Sequence, residues 1–153
     1  MRFLLRPLVQ ADAEEIAAWA YPGEYAFYDA AADADDLALL LDPERRGDDF
    51  YAADGEDGVL AGFFQLKPRA GTVEIGLGLR PDLCGRRLGE SFTRAGIDLV
   101  RRTHGEAGIT LAVAAFNARA ITVYERCGFW ETGRHVRRTA GADWEFVDME
   151  LRP

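Results

Sequence analysis

Cysteine and histidine are nearly missing from this chain, with two of each among 153 residues. Cys84 and Cys127 sit in no CxxC pair and are too few for a disulfide scaffold. His104 and His135 are isolated and no HExxH motif occurs, so no metal is expected and each histidine is read as structural. Long apolar runs are missing as well. Nothing approaches the ~20 residues that span a bilayer, and the opening MRFLLRPLVQADAEE turns acidic before a signal-peptide core could form. Positive charge is in the minority, 18 Lys and Arg against 26 Asp and Glu, for a formal net charge of −8. That balance excludes a sequence-independent nucleic-acid binder, which needs cations to displace counterions from phosphates. An acidic surface mildly favours amine ligands but mostly serves solubility. These absences lead to an expected cytoplasmic protein with neither membrane nor nucleic-acid partner. Its length fits one domain over residues 1–153.

Apolar residues make up 48% of the chain, enough for a core. Phe3 to Leu8 reads as a strand, and ADAEEIAAWA as a helix with Ile16 and Trp19 on one face. YPGEYAFYDA breaks helical logic at Pro22 and Gly23. A short helix over DDLALLLDP is expected to stop at Pro43. DFYAA and VLAGFFQLK flank the turn GEDG as a hairpin, and Thr72 to Leu79 is a further strand. Leu88, Phe92, Ala95 and Leu99 recur at helical spacing. ITLAVAAF reads as a buried strand parallel to its predecessor. Asn117 suits the cap of a helix whose Ala120, Tyr124 and Cys127 share a face, and Gly128 suits its end. FWETGRHVRR and WEFVDMEL, joined at AGAD, make a last hairpin. The fold class expected is α/β, a mixed sheet with helices on both faces.

Between the strand ending at Leu79 and the next helix stands CGRRLGES. A helix N-terminus presents unsatisfied N–H groups and the positive end of its dipole, so an anion can bind there. Gly85 and Gly89 would let backbone approach, and Arg86 and Arg87 add charge. In the preceding strand, alternation puts Glu74, Gly76 and Gly78 on one face and Val73, Ile75, Leu77 and Leu79 on the other. Glycines inside a strand mark a bulge or a close approach. Here they are read as a bare slot beside one carboxylate.

These residues resemble the GNAT family of N-acetyltransferases. The family's strand, apolar-x-Pro step and [Q/R]-x-x-G-x-[G/A] loop match Leu79 to Pro81 followed by Cys84-Gly85-Arg86-Arg87-Leu88-Gly89. Its N-x-x-A-x-x-x-Y-x-x-x-G-F motif stands as NARAITVYERCGF, with Asn117, Ala120, Tyr124, Gly128 and Phe129 in place. Two positions depart from the pattern: Cys84 replaces the usual Gln or Arg, and Arg87 a usual glycine. The resemblance implies a GNAT fold, a mostly antiparallel sheet whose central parallel pair is splayed to hold coenzyme A. It implies acetyl transfer from acetyl-CoA to a primary amine of a small molecule or peptide, and it allows a homodimer.

The same resemblance distributes the roles. The loop Cys84, Gly85, Arg86, Arg87, Leu88, Gly89 and Glu90 would hold the pyrophosphate. Leu77 and Leu79 would offer backbone to the pantetheine arm and the thioester carbonyl, with Asn117 and Ala120 beside them. Glu74 would be the base for the amine and Tyr124 the acid for the departing thiolate; a surface glutamate and a core tyrosine are the plain alternatives. Trp19, Tyr25 and Tyr28 would wall the acceptor side, where cation–π contacts suit an amine, or would simply pack a helix on the sheet. Cys84 and Arg87 favour a second reading, a non-catalytic or regulatory acyl-CoA-binding module with a degenerate loop.

Overall fold

The computed structural model describes residues 1–139 and 141–152. Seven strands form one sheet: β1 (Leu4–Pro7), β2 (Phe50–Asp54), β3 (Leu60–Arg69), β4 (Thr72–Leu79), β5 (Gly108–Ala114), β6 (Phe129–Thr139) and β7 (Ala142–Leu151). Their spatial order is β1-β2-β3-β4-β5-β7-β6, antiparallel throughout except for the β4–β5 pair. The helices are α1 (Gln10–Ala17), α2 (Ala34–Leu41), α3 (Pro43–Arg46), α4 (Gly89–His104) and α5 (Ala118–Arg126). α4 carries the chain from β4 to its parallel neighbour β5, as such a connection requires.

Strand alternation sorts the side chains into two cores. Phe64 and Leu66 of β3, Val73 and Ile75 of β4, and Ile109, Leu111 and Val113 of β5 pack with Phe92, Ile97 and Val100 of α4. The opposite face packs Phe50 and Ala52 with Ala13 and Ile16 of α1 and Leu40 of α2. Glu74, Gly76 and Gly78 therefore face the α1/α2 side, as their alternation predicts. Gly96 allows the α4 contact to be close, since a Cβ there would lie 2.5 Å from Phe64.

An ion-pair network ties α1 to the sheet. Arg6 of β1 donates to both oxygens of Asp12 and both of Asp54, at 2.7 to 3.1 Å. Asp12 also accepts from the Val9 N–H at 2.9 Å, closing the first turn of α1.

β4 pairs with β5 only over Thr72, Val73 and Glu74, opposite Gly108, Ile109 and Thr110. Beyond Glu74 the two strands part. Two bonds fix which backbone groups line the gap. Arg80 N–H donates to Ala61 O at 2.8 Å, so the hydrogen-bonded pairs of β3–β4 are those at Gly78 and Gly76, and Leu77 and Leu79 turn N–H and C=O toward β5. Ala115 N–H donates to Glu145 O at 2.9 Å, so Ala112 and Ala114 turn theirs toward β4 by the same alternation.

Several ends differ from expectation. Pro43 does not simply stop the second helix: it opens α3 as its first residue, where its missing N–H has no partner to lose. α1 ends at Ala17, before Trp19. The segment broken at Pro22 and Gly23 forms two 3₁₀ turns, Gly23–Tyr28 and Ala30–Ala32. In the turn expected at AGAD, Ala140 lies outside the described residues.

Candidate active site

The loop before α4 is built to leave donors open. Leu88 stands at the cap position, and no side chain caps the helix. Ser91 spends its hydroxyl on Leu88 O at 3.1 Å, so the first-turn amides keep their free direction. Gly85 has φ +76° and Arg87 φ +61°. Alternating left-handed residues curl successive N–H groups into a concave nest, which together with a helix dipole attracts an anion. Arg87 is the one non-glycine residue at positive φ among the described residues. It stands where the family pattern has glycine, and it adopts the glycine conformation at a strain of roughly 1–2 kcal/mol. Its side chain and that of Arg86 are exposed. Gly89 instead lets α5 approach α4, since a Cβ there would lie 3.3 Å from Val123.

Cys84 is half-buried against the carbonyls of Leu79 and Arg80, and burial pushes its thiol up. It is a small loop residue and not an activated thiolate. Arg119, in the first turn of α5, faces the same loop, its Nη1 lying 3.5 Å from where a Gly85 Cβ would be. Sequence reasoning missed Arg119, although a cation two residues after Asn117 was the visible signal.

The segment from Tyr21 to Tyr28 touches both lips of the β4–β5 gap. On the β4 side the Tyr21 hydroxyl donates to Leu79 O at 2.6 Å. On the β5 side Asn117 Nδ2 donates to the Tyr28 hydroxyl at 3.0 Å. Asn117 Oδ1 accepts from Ala120 N–H at 3.2 Å, so this side chain caps α5 and reaches Tyr28 at once. Tyr25 lies under the Arg119 guanidinium, 4.9 Å away. Phe27 meets Trp144 at 4.7 Å, Phe116 at 5.8 Å and Phe146 at 5.9 Å. Trp144 and Phe146 were legible only as alternate residues of a strand. Trp19 is placed apart from these rings, in the α1/α2 core against Phe63.

Tyr124 of α5 is half-buried and packs on Phe129 at 6.1 Å. Burial pushes its phenol above the usual range, and Tyr28 and Cys127 push it the same way. Glu74 lies at the closed end of the gap, with Lys67 at 3.6 Å and Arg69 at 3.7 Å. The slot expected above Gly76 and Gly78 is only half open. A Cβ on Gly78 would lie 2.6 Å from Phe63, whose ring fills that space, whereas Gly76 meets nothing nearer than Gln65 at 3.6 Å. Gly78 thus serves side-chain packing, and Gly76 alone leaves bare backbone.

The model of the acetyltransferase (GNAT) domain matches residues 2–130. The chain belongs to the GNAT family. Its solved neighbours include a spermidine N-acetyltransferase chimera from Vibrio cholerae and hSSAT, at TM-score 0.80 and 20% identity, covering 99% of this chain and 95% of that one. The Vibrio cholerae spermidine N-acetyltransferase in complex with CoA and spermine aligns at TM-score 0.75 and 19% identity, over 98% and 95%. Among sequence relatives, mycothiol acetyltransferase of Clavibacter michiganensis is 42% identical over 82 residues, 53% of this chain and 26% of that protein. That of Streptomyces coelicolor is 41% identical over 86 residues, 52% and 26%. The matched part of this chain spans about a quarter of each of these relatives.

GNAT enzymes draw their acyl group from acetyl-CoA, and the residues present fit that molecule. The open nest at Gly85 to Glu90 fits its pyrophosphate. The edges of β4 and β5 part beyond Glu74, and the backbone of Leu77 and Ala112 turned into that gap fits its amide-bearing arm. No helix among the described residues is long and apolar enough to cross a membrane.

Proposed function

We propose that the chain is an acetyl-CoA-dependent N-acetyltransferase for a small-molecule or peptide primary amine. The observation that carries this is the parted β4–β5 edge leading to an uncapped helix N-terminus, which together offer backbone groups to an amide-bearing arm and the positive end of a dipole to an anion. The amides from Gly85 to Glu90 hold the pyrophosphate, with Cys84 shaping the turn, Leu88 at the cap and Arg86, Arg87 and Arg119 adding charge. Leu77 and Leu79 offer backbone groups to the arm, and a strand N–H in this gap polarises the reacting carbonyl. Asn117 and Ala120 border the arm on the α5 side. The bound thioester supplies an activated acetyl carbon.

Glu74 accepts the proton of the attacking amine, directly or through water. Lys67 and Arg69 flank its carboxylate at 3.6 and 3.7 Å and hold it at the closed end of the gap. Tyr124, with its phenol held protonated by burial, faces the departing thiolate as an acid. Tyr25, Tyr28 and the ring cluster around Phe27 wall the acceptor side, where a cation meets π-faces in a chain of net charge −8. The spermidine and mycothiol enzymes among the relatives make spermidine, spermine and mycothiol-type amines the first acceptors to try.

The test is thiol release from acetyl-CoA against a panel of primary amines, with Glu74→Gln beside the native protein. The reading expects amine-dependent release and a kcat loss on the order of 10²-fold or more in the variant. Tight acetyl-CoA binding with no release for any amine would favour a binding module instead.

A further inference from the structure

Arg119 stands between the two sides of the site. It is an exposed residue in the first turn of α5, and no hydrogen bond or ion pair engages its guanidinium among the described residues. Two contacts place it instead. Its Nη1 lies 3.5 Å from where a Gly85 Cβ would be, which sets the cation against the nest. Its guanidinium carbon lies 4.9 Å from the centre of the Tyr25 ring. Tyr25 in turn meets Phe116 at 6.1 Å, and its N–H donates to Pro22 O at 3.2 Å, tying the ring to its own turn. The same segment reaches Leu79 O through Tyr21 and Asn117 through Tyr28. Of these three links, that at Tyr25 ends on a cation facing the loop.

We propose that Tyr25 is a positioning residue for the acyl donor: its ring holds the Arg119 guanidinium against the nest, so that a pyrophosphate bound there also fixes the Tyr21–Tyr28 segment. A guanidinium is planar, and it can lay its face on a ring while the N–H groups at its edge still donate to a phosphate. The two contacts are therefore compatible, and an anion in the nest meets a cation already in place. An arginine side chain free in water gives up rotamer freedom when it grips an anion, and one stacked beforehand gives up less. Coupling of this kind is reciprocal. Whatever the ring adds to donor affinity, the bound donor returns as order in the segment that carries Tyr25, Phe27 and Tyr28. The acceptor side is then firmest once the donor is bound, and the Tyr25 face turned to Arg119 is not open to an amine. This role rests on the pyrophosphate cradle proposed above, and not on Glu74 or Tyr124.

The test is calorimetric titration of the full chain with CoA and with dephospho-CoA, which keeps the pyrophosphate and lacks the ribose phosphate. Exposed cation–π contacts are weak, so Tyr25→Leu is expected to raise Kd by about threefold, while Tyr25→Phe, which keeps the ring, restores the native affinity. Arg119→Gln is expected to raise Kd by about tenfold. Adding Tyr25→Leu to it should cost nothing more, because the ring acts through the guanidinium. The same ratios are expected with dephospho-CoA, and a loss confined to CoA would move Arg119 to the ribose phosphate and overturn the assignment. Saturating CoA should also slow amide hydrogen exchange across Tyr21–Tyr28 in the native protein and not in Arg119→Gln. If Tyr25→Leu does not fold, that exchange comparison decides. Additive losses, equal losses in Tyr25→Phe and Tyr25→Leu, or protection that survives Arg119→Gln overturns the coupling. Native protein that binds neither ligand sinks the cradle and this role with it, whereas native binding indifferent to Tyr25 sinks only this role.

Discussion

At Arg87 the chain keeps a glycine's backbone angle without a glycine. The strain is local, because the guanidinium is exposed and no hydrogen bond or ion pair among the described residues holds it there. Arg87→Gly is therefore expected to raise stability by about 1 kcal/mol, read as a higher Tm, with acetyl-CoA binding weakened only by the loss of one of three cations because the amides of the nest are unchanged. A lowered Tm would show that the side chain has packing worth more than the strain. Gly76 and Gly78 make a second contrast two residues apart. Gly78→Ala drives a Cβ to 2.6 Å from Phe63, and overpacking of that kind costs roughly 1–3 kcal/mol. Gly76→Ala meets only ordinary contacts and should leave Tm nearly unchanged while its methyl intrudes on the acceptor floor and lowers kcat/KM. Equal loss of stability in both would contradict this division of labour.

The attachment of α1 depends on charge, and so on pH. Arg6 donating to Asp12 holds that carboxyl below its usual range, aided by the Val9 N–H. A depressed folded-state pKa means the stabilisation is full above the unfolded value and is lost as pH falls through the folded one. Asp12→Asn should cost about 2 kcal/mol at neutral pH, and the gap to the native protein should close as the solution is acidified. A difference that stays constant with pH would locate the effect in packing. Much at the scale of elements is readable from sequence, because periodicity marks the strands and both long helices, and NARAITVYERCGF announces cap, face and end of α5. What is not readable depends on distant partners. The parting of β4 from β5 follows from pairings between residues 36 positions apart, which no local pattern encodes. Likewise Gly78 reads as part of a ligand slot because Phe63, fifteen residues earlier, is invisible to strand alternation. Pro43 reads as a stop, yet the preceding Asp42, whose side chain accepts from Glu44 and Arg45 N–H, makes it a start.

Across the whole molecule, one face of the sheet with α4 and α5 positions a nest and a parted edge, and the other face brings the Tyr21–Tyr28 segment over the same gap. That segment is fastened to Leu79 on one lip and to Asn117 on the other, so the proposed acceptor side and the proposed cofactor side share their hydrogen bonds. An acidic chain recruiting a cationic amine should do so less well in salt. KM for a charged amine is expected to rise with ionic strength while kcat holds, and a KM indifferent to salt would remove charge from acceptor recognition. Everything proposed for this molecule depends on the altered loop still cradling a pyrophosphate, and calorimetric titration of the protein with acetyl-CoA decides that. Binding in the micromolar range is predicted, weakened when the loop before α4 is filled by Gly85→Val. No binding up to millimolar acetyl-CoA would contradict the cradle and leave a GNAT fold without its donor.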